Sequence, residues 1–210
     1  MKHIEFYLDF ISPYAYLAFE KLPEALMGIS YRVTHKPVLF AALLKHHGQL
    51  GPAEIASKRD WTYRQVAWQA HVHGVDLQLP ASHPFNPLGL LRLAVACDAN
   101  GEPNRYVCET IFRHAWQGGA DAADAARLEA LTARLAPSRS LQDATVKAQL
   151  QGHGEQALAL GLFGVPSFVV DAKVFWGFDA LPMLRAYLLG DPWFEAGWGL
   201  PASVAQGIRR

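Results

Sequence analysis

Residues 9–18, DFISPYAYLA, lie where a strand-like pattern changes into a helical one, and this junction decides the fold. The preceding residues 3–9 alternate apolar and more polar side chains, which predicts a strand. Ser12 then occupies the N-cap position, and Pro13 occupies the first helical position, where a missing N–H costs nothing. Apolar residues follow at helical spacing, so the chain opens as strand, turn and helix.

The two ends of the chain share this β character, and the middle does not. Residues 30–36, SYRVTHK, predict a second strand, which completes a βαβ unit. Residues 168–176 predict a hairpin with its turn at 171–172, and a helix then runs to Gly190, which gives ββα. From about residue 38 to about 160, apolar positions recur every three or four residues, and most segments close on Gly or Pro, which predicts helices alone.

A βαβ unit and a ββα unit separated by helices are the arrangement of a thioredoxin-type fold with a helical insertion. We therefore predict an α/β protein with a thioredoxin-like fold (βαβ + ββα) and a large all-helical insertion. The expected divisions are a thioredoxin-like domain at 1–38 and 161–190, a helical insertion domain at 39–160 and a C-terminal extension at 191–210.

Composition excludes several classes of protein. The 210 residues are 51% hydrophobic, which excludes disorder, and 19 Lys plus Arg balance 19 Asp plus Glu. With no net charge, no field recruits nucleic acid or an anionic membrane, so a small-molecule site is favoured. The N-terminus reaches an acidic residue too soon for a signal peptide, and no apolar run spans a bilayer, so we expect a cytoplasmic protein.

Cysteine and histidine spacing argues against redox and metal chemistry. Cys97 and Cys108 form no CxxC motif, and Cys97 closes an apolar run that favours a buried core residue. His71 and His73 are two positions apart, and the pair at 46–47 is adjacent, so neither has the i, i+4 spacing of a helical zinc site. We expect no metal.

Ser12 is the first candidate functional residue. Free backbone N–H groups and the positive end of the helix macrodipole stabilise an anion at the turn from the first strand into the first helix. A cysteine there becomes an activated thiolate, whereas a serine hydroxyl is far too weakly acidic. Ser before Pro is also a common N-cap pair with no chemistry, and this alternative stays open.

The sequence Gly164-Val165-Pro166-Ser167 is the second candidate element, at the entrance to the hairpin. A cis peptide before Pro166 would place the Val165 backbone N–H and C=O beside the Ser12 turn, free to pair with an extended peptide. We therefore expect two elements far apart in sequence to converge on one cleft.

Four stretches resemble a known family. DFISPYAYLA, ASKRDW at 56–61, HPFNPL at 83–88 and GLFGVPSFVVDAKVFWGFDAL at 161–181 are similar to 2-hydroxychromene-2-carboxylate isomerases. These group with the kappa-class glutathione transferases in the DsbA-like branch of the thioredoxin superfamily. The resemblance covers residues 3–190, and its two end motifs are specific in combination.

The resemblance implies that glutathione is the cofactor and that it supplies the thiolate. Ser12 would then act as the catalytic residue by hydrogen-bonding the glutathione sulfur. Val165, before a cis Pro166, would pair through its main chain with the cysteinyl backbone of the tripeptide. A serine suffices because the protein has only to stabilise a thiolate that the cofactor brings.

The same resemblance implies contacts to the ends of glutathione. Asp179 matches the aspartate for the γ-glutamyl ammonium, although its place at a helix start also fits a plain N-cap. Lys58 matches a carboxylate-binding lysine, and Gln49 falls near an asparagine of the kappa class. Phe178 stands where that class has a serine, so a side-chain contact is lost while a backbone N–H contact could survive.

An aromatic substrate would need an apolar wall near these residues. Candidates are Tyr14, Tyr16, Trp61 and Trp68, for each of which the core is the simpler place. Asn86 in HPFNPL is a cleft candidate, although Asn before Pro is as often a turn former. A further departure from the family is GHG at 152–154, where two glycines weaken a helix by roughly 1 kcal/mol each, so we expect a break near residue 152.

The implied reaction interconverts 2-hydroxychromene-2-carboxylate and trans-o-hydroxybenzylidenepyruvate, or a related aromatic keto acid, in a homodimer. Two alternatives stay open: a kappa-like glutathione transferase that releases the conjugate, and a non-catalytic thioredoxin-fold protein that binds peptides beside Val165. A disulfide oxidoreductase is disfavoured because no cysteine lies at the turn.

Overall fold

The fold is built on a four-stranded mixed sheet. The computed structural model describes residues 1–204 and residue 207, so part of the predicted C-terminal extension, 205–206 and 208–210, lies outside the described residues. The strands are β1 Lys2–Leu8, β2 Tyr31–Pro37, β3 Ser167–Val170 and β4 Lys173–Trp176, in the spatial order β2-β1-β3-β4. β1 pairs parallel with β2 and antiparallel with β3, and β3 and β4 form an antiparallel hairpin. Both expected units, βαβ and ββα, are therefore present.

Helices form most of the remaining described chain. They are α1 Pro13–Ala25, α2 Phe40–His46, α3 Ala56–His73, α4 Leu88–Ala96, α5 Arg105–Trp116, α6 Ala125–Leu135, α7 Ala144–Ala159, α8 Leu181–Leu188 and the short α9 Trp193–Ala196. Residues 40–159 are all described, and their regular structure is helical only. The expected domain boundaries at 39 and 160 remain a proposal, because α4 and α5 share one hydrophobic core with the sheet.

β1 is one of the two inner strands of the sheet and is covered on both faces. Ile4, Phe6 and Leu8 are fully buried on one face, and Tyr7 is buried on the other. The Phe6 ring packs 4.5 Å from the ring of Phe168 on β3. Burial on both faces holds β1 in place in the sheet, and the turn into α1 follows directly after its last residue, Leu8.

The main core lies where α1, α4 and α5 pack on the sheet. Phe112 of α5 is 0% exposed, and its ring centroid lies 4.8 Å from Phe10, 5.2 Å from Phe19 and 5.9 Å from Tyr16. Tyr16, a candidate for the substrate wall, is therefore a core residue, as the simpler interpretation predicts.

The hairpin turns where the sequence predicts. Asp171 and Ala172 have φ of 49° and 60°, the left-handed pair that matches the twist of a two-residue hairpin loop. The Asp171 carboxylate accepts a 2.7 Å hydrogen bond from the Tyr187 hydroxyl of α8. This contact ties the tip of the hairpin to the last long helix.

The predicted helix break near residue 152 is wrong. α7 runs unbroken through Gly152 and Gly154, with Leu150, His153 and Ala157 buried. The His153 Nδ1 lies 3.1 Å from the Pro37 carbonyl of β2 and donates to it. Packing along one face therefore outweighs the roughly 1 kcal/mol that each glycine costs a helix.

The described part of the C-terminal extension packs on the hairpin. The rings of Phe194 and Trp198 lie 6.1 Å and 5.2 Å from the Phe175 ring of β4, while Trp193 is exposed. In residues 1–204, none of the helices combines the length and the apolar character that membrane crossing requires.

Candidate active site

A cavity of about 830 Å³ opens at the end of β1. Its wall is mostly apolar, and its residues are drawn from segments 9–14, 39–54, 83–88 and 163–165, together with Thr62 and Trp176. The Ser12 turn, α2 with the segment that follows it, the 83–88 segment and the entrance to the hairpin thus meet around one space. Its size suits a small-molecule ligand.

Ser12 is a buried helix N-cap that faces this cavity. Its Oγ accepts a 3.2 Å hydrogen bond from the Ala15 N–H, and Pro13 begins the helix, so the predicted N-cap geometry is confirmed. The Ser12 hydroxyl points toward the Val165 carbonyl at 3.5 Å. Ordinary O–H···O bonds are near 2.7–2.8 Å, so this proton is weakly held and is available to a ligand.

The expected convergence of the two elements is present. The Val165–Pro166 peptide is cis, and Val165 lines the cavity beside the Ser12 turn. The Pro166 carbonyl accepts a 2.9 Å bond from the Gly177 N–H, which anchors the entrance of the hairpin to its exit. Pro166 itself does not line the cavity in the described part of the chain.

The backbone of the Ser12 turn is held from several sides. The Trp116 Nε1–H donates to the Phe10 carbonyl at 2.9 Å, and the His83 Nε2 lies 2.8 Å from the Ile11 carbonyl. The Ser12 N–H donates to the Asp9 carbonyl at 3.1 Å. Trp116 and His83 come from segments far along the chain, so tertiary contacts fix the conformation of this turn.

Asp9 is a buried carboxyl group in the cavity wall, and it is not among the site residues predicted from the sequence. Its Oδ1 accepts from the Ile11 N–H at 3.2 Å and its Oδ2 accepts from the Phe40 N–H at 2.8 Å. Burial raises the pKa of Asp9 to about 7, and these N–H donors oppose the rise. An aspartate inside the apolar run FYLDFI was the signal that could have identified it.

His83 and Tyr63 are two further neighbours of the turn that the sequence reading did not single out. The Tyr63 hydroxyl lies 2.8 Å from the His83 Nδ1, and burial lowers the pKa of His83. His83 is the first residue of the HPFNPL stretch, so this motif could have identified it. Only Asn86 of this stretch is predicted from the sequence as a cleft residue.

Three other predicted site residues line the cavity with Ser12 and Val165. Gln49 and Asn86 are exposed at its rim, and Tyr14 is half-buried. The Asn86 Oδ1 accepts a 3.1 Å bond from the Leu88 N–H, so this side chain acts as a turn former. The Tyr14 hydroxyl donates to Gln65 of α3 at 2.7 Å.

The remaining predicted residues lie outside the cavity wall. Lys58 and Trp61 are exposed on α3. Phe178 is half-buried, and its ring lies edge-on to His73 at 5.1 Å. Asp179 is exposed, in the segment 178–180 that packs on α1. Burial and, second to it, the Asp179 charge raise the pKa of the Tyr14 hydroxyl.

Three sequence interpretations of individual residues are corrected. Trp61 and Trp68 are 62% and 61% exposed, so the core assignment is wrong for both, because α3 turns only a narrow face inward. Ala180 occupies the N-cap of α8, so the alternative N-cap role of Asp179 is wrong. Cys97 is half-buried at the edge of the core, not fully buried.

Charge is unevenly distributed around the cavity. Asp9 and Glu54 contribute carboxyl groups, and none of the described residues that line it is Lys or Arg. The N-terminus of α1 contributes positive potential beside Ser12. Burial raises the pKa of the thiols of Cys97 and Cys108, and neither lines the cavity, so neither supports thiolate chemistry there.

Comparison with a solved structure identifies the fold. The structure of a 2-hydroxychromene-2-carboxylate isomerase matches with a TM-score of 0.77 at 19% sequence identity and covers 93% of this chain and 98% of that chain. Likeness at this identity establishes the fold alone. The predicted α/β thioredoxin-like fold is confirmed.

Curated relatives carry the same resemblance in sequence. A 2-hydroxychromene-2-carboxylate isomerase of Sphingobium xenophagum is 29% identical over 90% of this chain and 98% of its own. Glutathione S-transferase kappa 1 of Rattus norvegicus is 24% identical over 90% of this chain and 92% of its own. The predicted resemblance to both groups is confirmed. The family model of the DSBA-like thioredoxin domain matches residues 3–189, and this chain therefore belongs to the DSBA-like thioredoxin domain family.

Proposed function

We propose that this protein is a glutathione-dependent isomerase that interconverts 2-hydroxychromene-2-carboxylate and trans-o-hydroxybenzylidenepyruvate, or a related aromatic keto acid. The observation that carries the proposal is the Ser12 hydroxyl, placed at the N-terminus of α1 inside the cavity with only a 3.5 Å contact to an acceptor. The relatives include a 2-hydroxychromene-2-carboxylate isomerase and a glutathione S-transferase, and we extend isomerisation and the use of glutathione to this chain.

The residues present fit a thiol cofactor. A thiolate needs a hydrogen-bond donor and a positive potential, which the Ser12 O–H and the end of α1 both offer. A carbonyl at Val165 lies beside them and suits an extended peptide backbone. Glutathione combines an extended tripeptide with a thiol, so one ligand satisfies all three features.

When bound, glutathione supplies a thiolate that adds reversibly to a conjugated double bond, so that this bond becomes single and can rotate. Ser12 donates its O–H to the sulfur and lowers the thiol pKa together with the α1 N-terminus. Such a charge-assisted bond contributes ~1.5–3 kcal/mol, or about one to two pKa units. That is enough to populate the thiolate near neutral pH.

Other residues would bind the ends of the cofactor. Val165, followed by Pro166, pairs through its main chain with the cysteinyl backbone, and Gln49 at the rim offers an amide. Because no Lys or Arg lines the described cavity wall, a carboxylate of the cofactor must be met by a cation outside it. Lys58 on α3 would meet a carboxylate, and Asp179 would meet the γ-glutamyl ammonium.

The aromatic part of the substrate would occupy the apolar half of the cavity. Phe85 and Phe163 lie in its wall, and Tyr14 and Asn86 add polar groups. Trp61, exposed on α3 beside the wall residue Thr62, could cover a substrate at the rim.

A kappa-like glutathione transferase is the second candidate, favoured by the likeness to the Rattus norvegicus enzyme. Both activities need the same activated thiol, so product analysis separates them: an isomerase returns free glutathione, whereas a transferase releases a stable conjugate from an aryl halide. We further propose that the protein is cytoplasmic and forms a homodimer. Light scattering of the purified protein tests the dimer, and cell fractionation tests the location.

The experiment that tests the proposal is calorimetric titration with reduced glutathione, combined with pH titration of the ultraviolet thiolate absorbance. We expect saturable one-to-one binding and a bound thiol pKa lowered by about one to two units. Ser12→Ala should keep most of the binding and lose most of that pKa shift. Lys58→Ala and Asp179→Ala should weaken binding and leave the shift in place.

Ser140→Ala is the matched control. Ser140 also accepts a backbone N–H, from Gln142 at 3.2 Å, but lies away from the cavity, so its removal should change neither readout. No detectable glutathione binding would contradict the proposal and would favour a non-catalytic protein that binds peptides beside Val165.

A further inference from the structure

We propose that His83, held by Tyr63, is a positioning residue for Ser12 that fixes the turn carrying the serine hydroxyl and so sets the acidity of the bound thiol. This inference rests on the proposed use of glutathione. It adds a connection from α3 through the 83–88 segment to the end of β1.

Three hydrogen-bond distances define this connection. The His83 Nε2 lies 2.8 Å from the carbonyl oxygen of Ile11, the residue directly before Ser12. The Tyr63 hydroxyl lies 2.8 Å from the His83 Nδ1 and 3.2 Å from the His83 carbonyl. The Ile11 carbonyl is therefore linked through one imidazole ring to a side chain of α3.

The partners determine which nitrogen of His83 carries the proton. A carbonyl oxygen only accepts, so Nε2 must carry the hydrogen and donate it to Ile11. In the neutral ring Nδ1 then accepts from the Tyr63 O–H. Burial lowers the pKa of His83, which favours this neutral form.

His83 is poorly placed to act as a general base, although it lines the cavity. The Nε2–H donates to Ile11, and the Nδ1 lone pair accepts from Tyr63, each at 2.8 Å, so the ring has no lone pair left for a substrate proton. The ring is also packed 5.5 Å from Trp116 and 5.9 Å from Phe85. These contacts hold the ring in one orientation, as a positioning role requires.

The orientation of the Ile11–Ser12 peptide decides where the serine hydroxyl points. At one end of this peptide the Ser12 N–H donates to the Asp9 carbonyl at 3.1 Å, and at the other end His83 holds the Ile11 carbonyl at 2.8 Å. Without His83, a carbonyl at the cavity wall loses its partner, and the peptide can rotate toward another donor. Because charge-assisted hydrogen bonds weaken steeply with angle, a rotated Ser12 O–H would stabilise the thiolate less.

The test uses three variants and two readouts. His83→Leu removes both nitrogens, His83→Gln restores an N–H donor at the reach of Nε2, and Tyr63→Phe removes the donor to Nδ1. The first readout is the pKa of the bound glutathione thiol, from the pH dependence of thiolate absorbance. The second is the affinity for S-methylglutathione, which has no ionisable thiol, measured by calorimetry.

We expect His83→Leu to raise the bound thiol pKa by about one unit, or roughly tenfold less thiolate at a pH below that pKa. Tyr63→Phe should produce a smaller rise in the same direction, and His83→Gln should return the pKa toward the wild-type value. The affinity for S-methylglutathione should stay unchanged in all three variants.

Two results would overturn the inference alone. One is a wild-type thiol pKa in His83→Leu and Tyr63→Phe. The other is that His83→Leu and His83→Gln both lose affinity for S-methylglutathione as well as the pKa shift, which would indicate general damage to the site. If the wild-type protein itself fails to bind glutathione or to lower its thiol pKa, the proposed function and this inference both fall.

Discussion

The two sides of the Ser12 turn are packed very differently. On the core side, six of the nine residues of α4 are buried, and α5 inserts Phe112 between Phe10 and Phe19. On the cleft side, only two of the eighteen residues of α3 are buried, Val66 and Ala70. The cavity opens beside α3, which contributes Thr62 to its wall.

This difference shows how the fold separates stability from binding. Both sides use apolar and aromatic residues, but only the core side fills its space with them. The cleft side leaves a cavity of about 830 Å³. The apolar side chains around this cavity stabilise the fold less than fully buried ones would, and they remain available to a ligand. Changes on the core side should therefore affect folding, and changes on the cleft side should affect binding.

The largest expected effect is on the core side. Phe112→Ala should lower the free energy of unfolding by about 3–5 kcal/mol, because a fully buried ring leaves a cavity among three aromatic neighbours. The matched variant is Phe163→Ala on the cavity wall, where the ring is 38% exposed, and it should cost much less. Urea unfolding measures both, and equal losses would contradict the distinction between the two sides.

The next largest effect is the pH dependence of stability that Asp9 causes, just before the Ser12 turn. Because burial raises the pKa of Asp9 to about 7, the folded state prefers the protonated carboxyl. The stability that Asp9 contributes is thus fully present below about pH 4 and is lost as pH rises to about 7, by a few kcal/mol at most. Asp9→Asn lacks this titration.

The unfolding free energy of Asp9→Asn relative to wild type should therefore increase steadily from pH 4 to pH 7. Asp60→Asn, on the exposed surface of α3, controls for the loss of a charge alone. A difference between Asp9→Asn and wild type that stays constant with pH would show that folding does not raise the pKa of the Asp9 carboxyl.

A smaller effect is expected in α7, which packs on α4 of the core side and on α2, a helix of the cavity wall. Gly154→Ala should raise the unfolding free energy by about 0.5–1 kcal/mol, since the position of the new Cβ is open and alanine favours a helix. Gly161→Ala, where φ is +75°, should instead destabilise. Thermal unfolding distinguishes the signs, and a loss in Gly154→Ala would mean that α7 needs flexibility there.

The smallest expected effect is on the outer face of α3. Trp61→Ala and Trp68→Ala should each change the unfolding free energy by less than about 0.5 kcal/mol, because both side chains are mostly exposed. A loss several times larger, measured at low protein concentration to exclude association, would show that α3 contributes to the core as the sequence suggested.

Local features of the site could be predicted from the sequence. Ser12 and Pro13 form the N-cap and first residue of α1 because capping depends on neighbouring residues alone. The hairpin turn at 171–172 follows from short-range preferences in the same way. The meeting of Ser12 and Val165 was also predicted, but on the arrangement of a whole fold rather than on local preference.

What the sequence by itself determined is the order of elements and the positions of the turns, since these depend on interactions within a few residues. Tertiary structure alone decided that α7 continues through Gly154, that Asp9 is buried, and that Trp61 is exposed. It also decided that the turn before Ser12 is held by His83. Each of these depends on which distant segments pack together, and burial, solvation and hydrogen-bond pairing are set by those contacts rather than by local sequence.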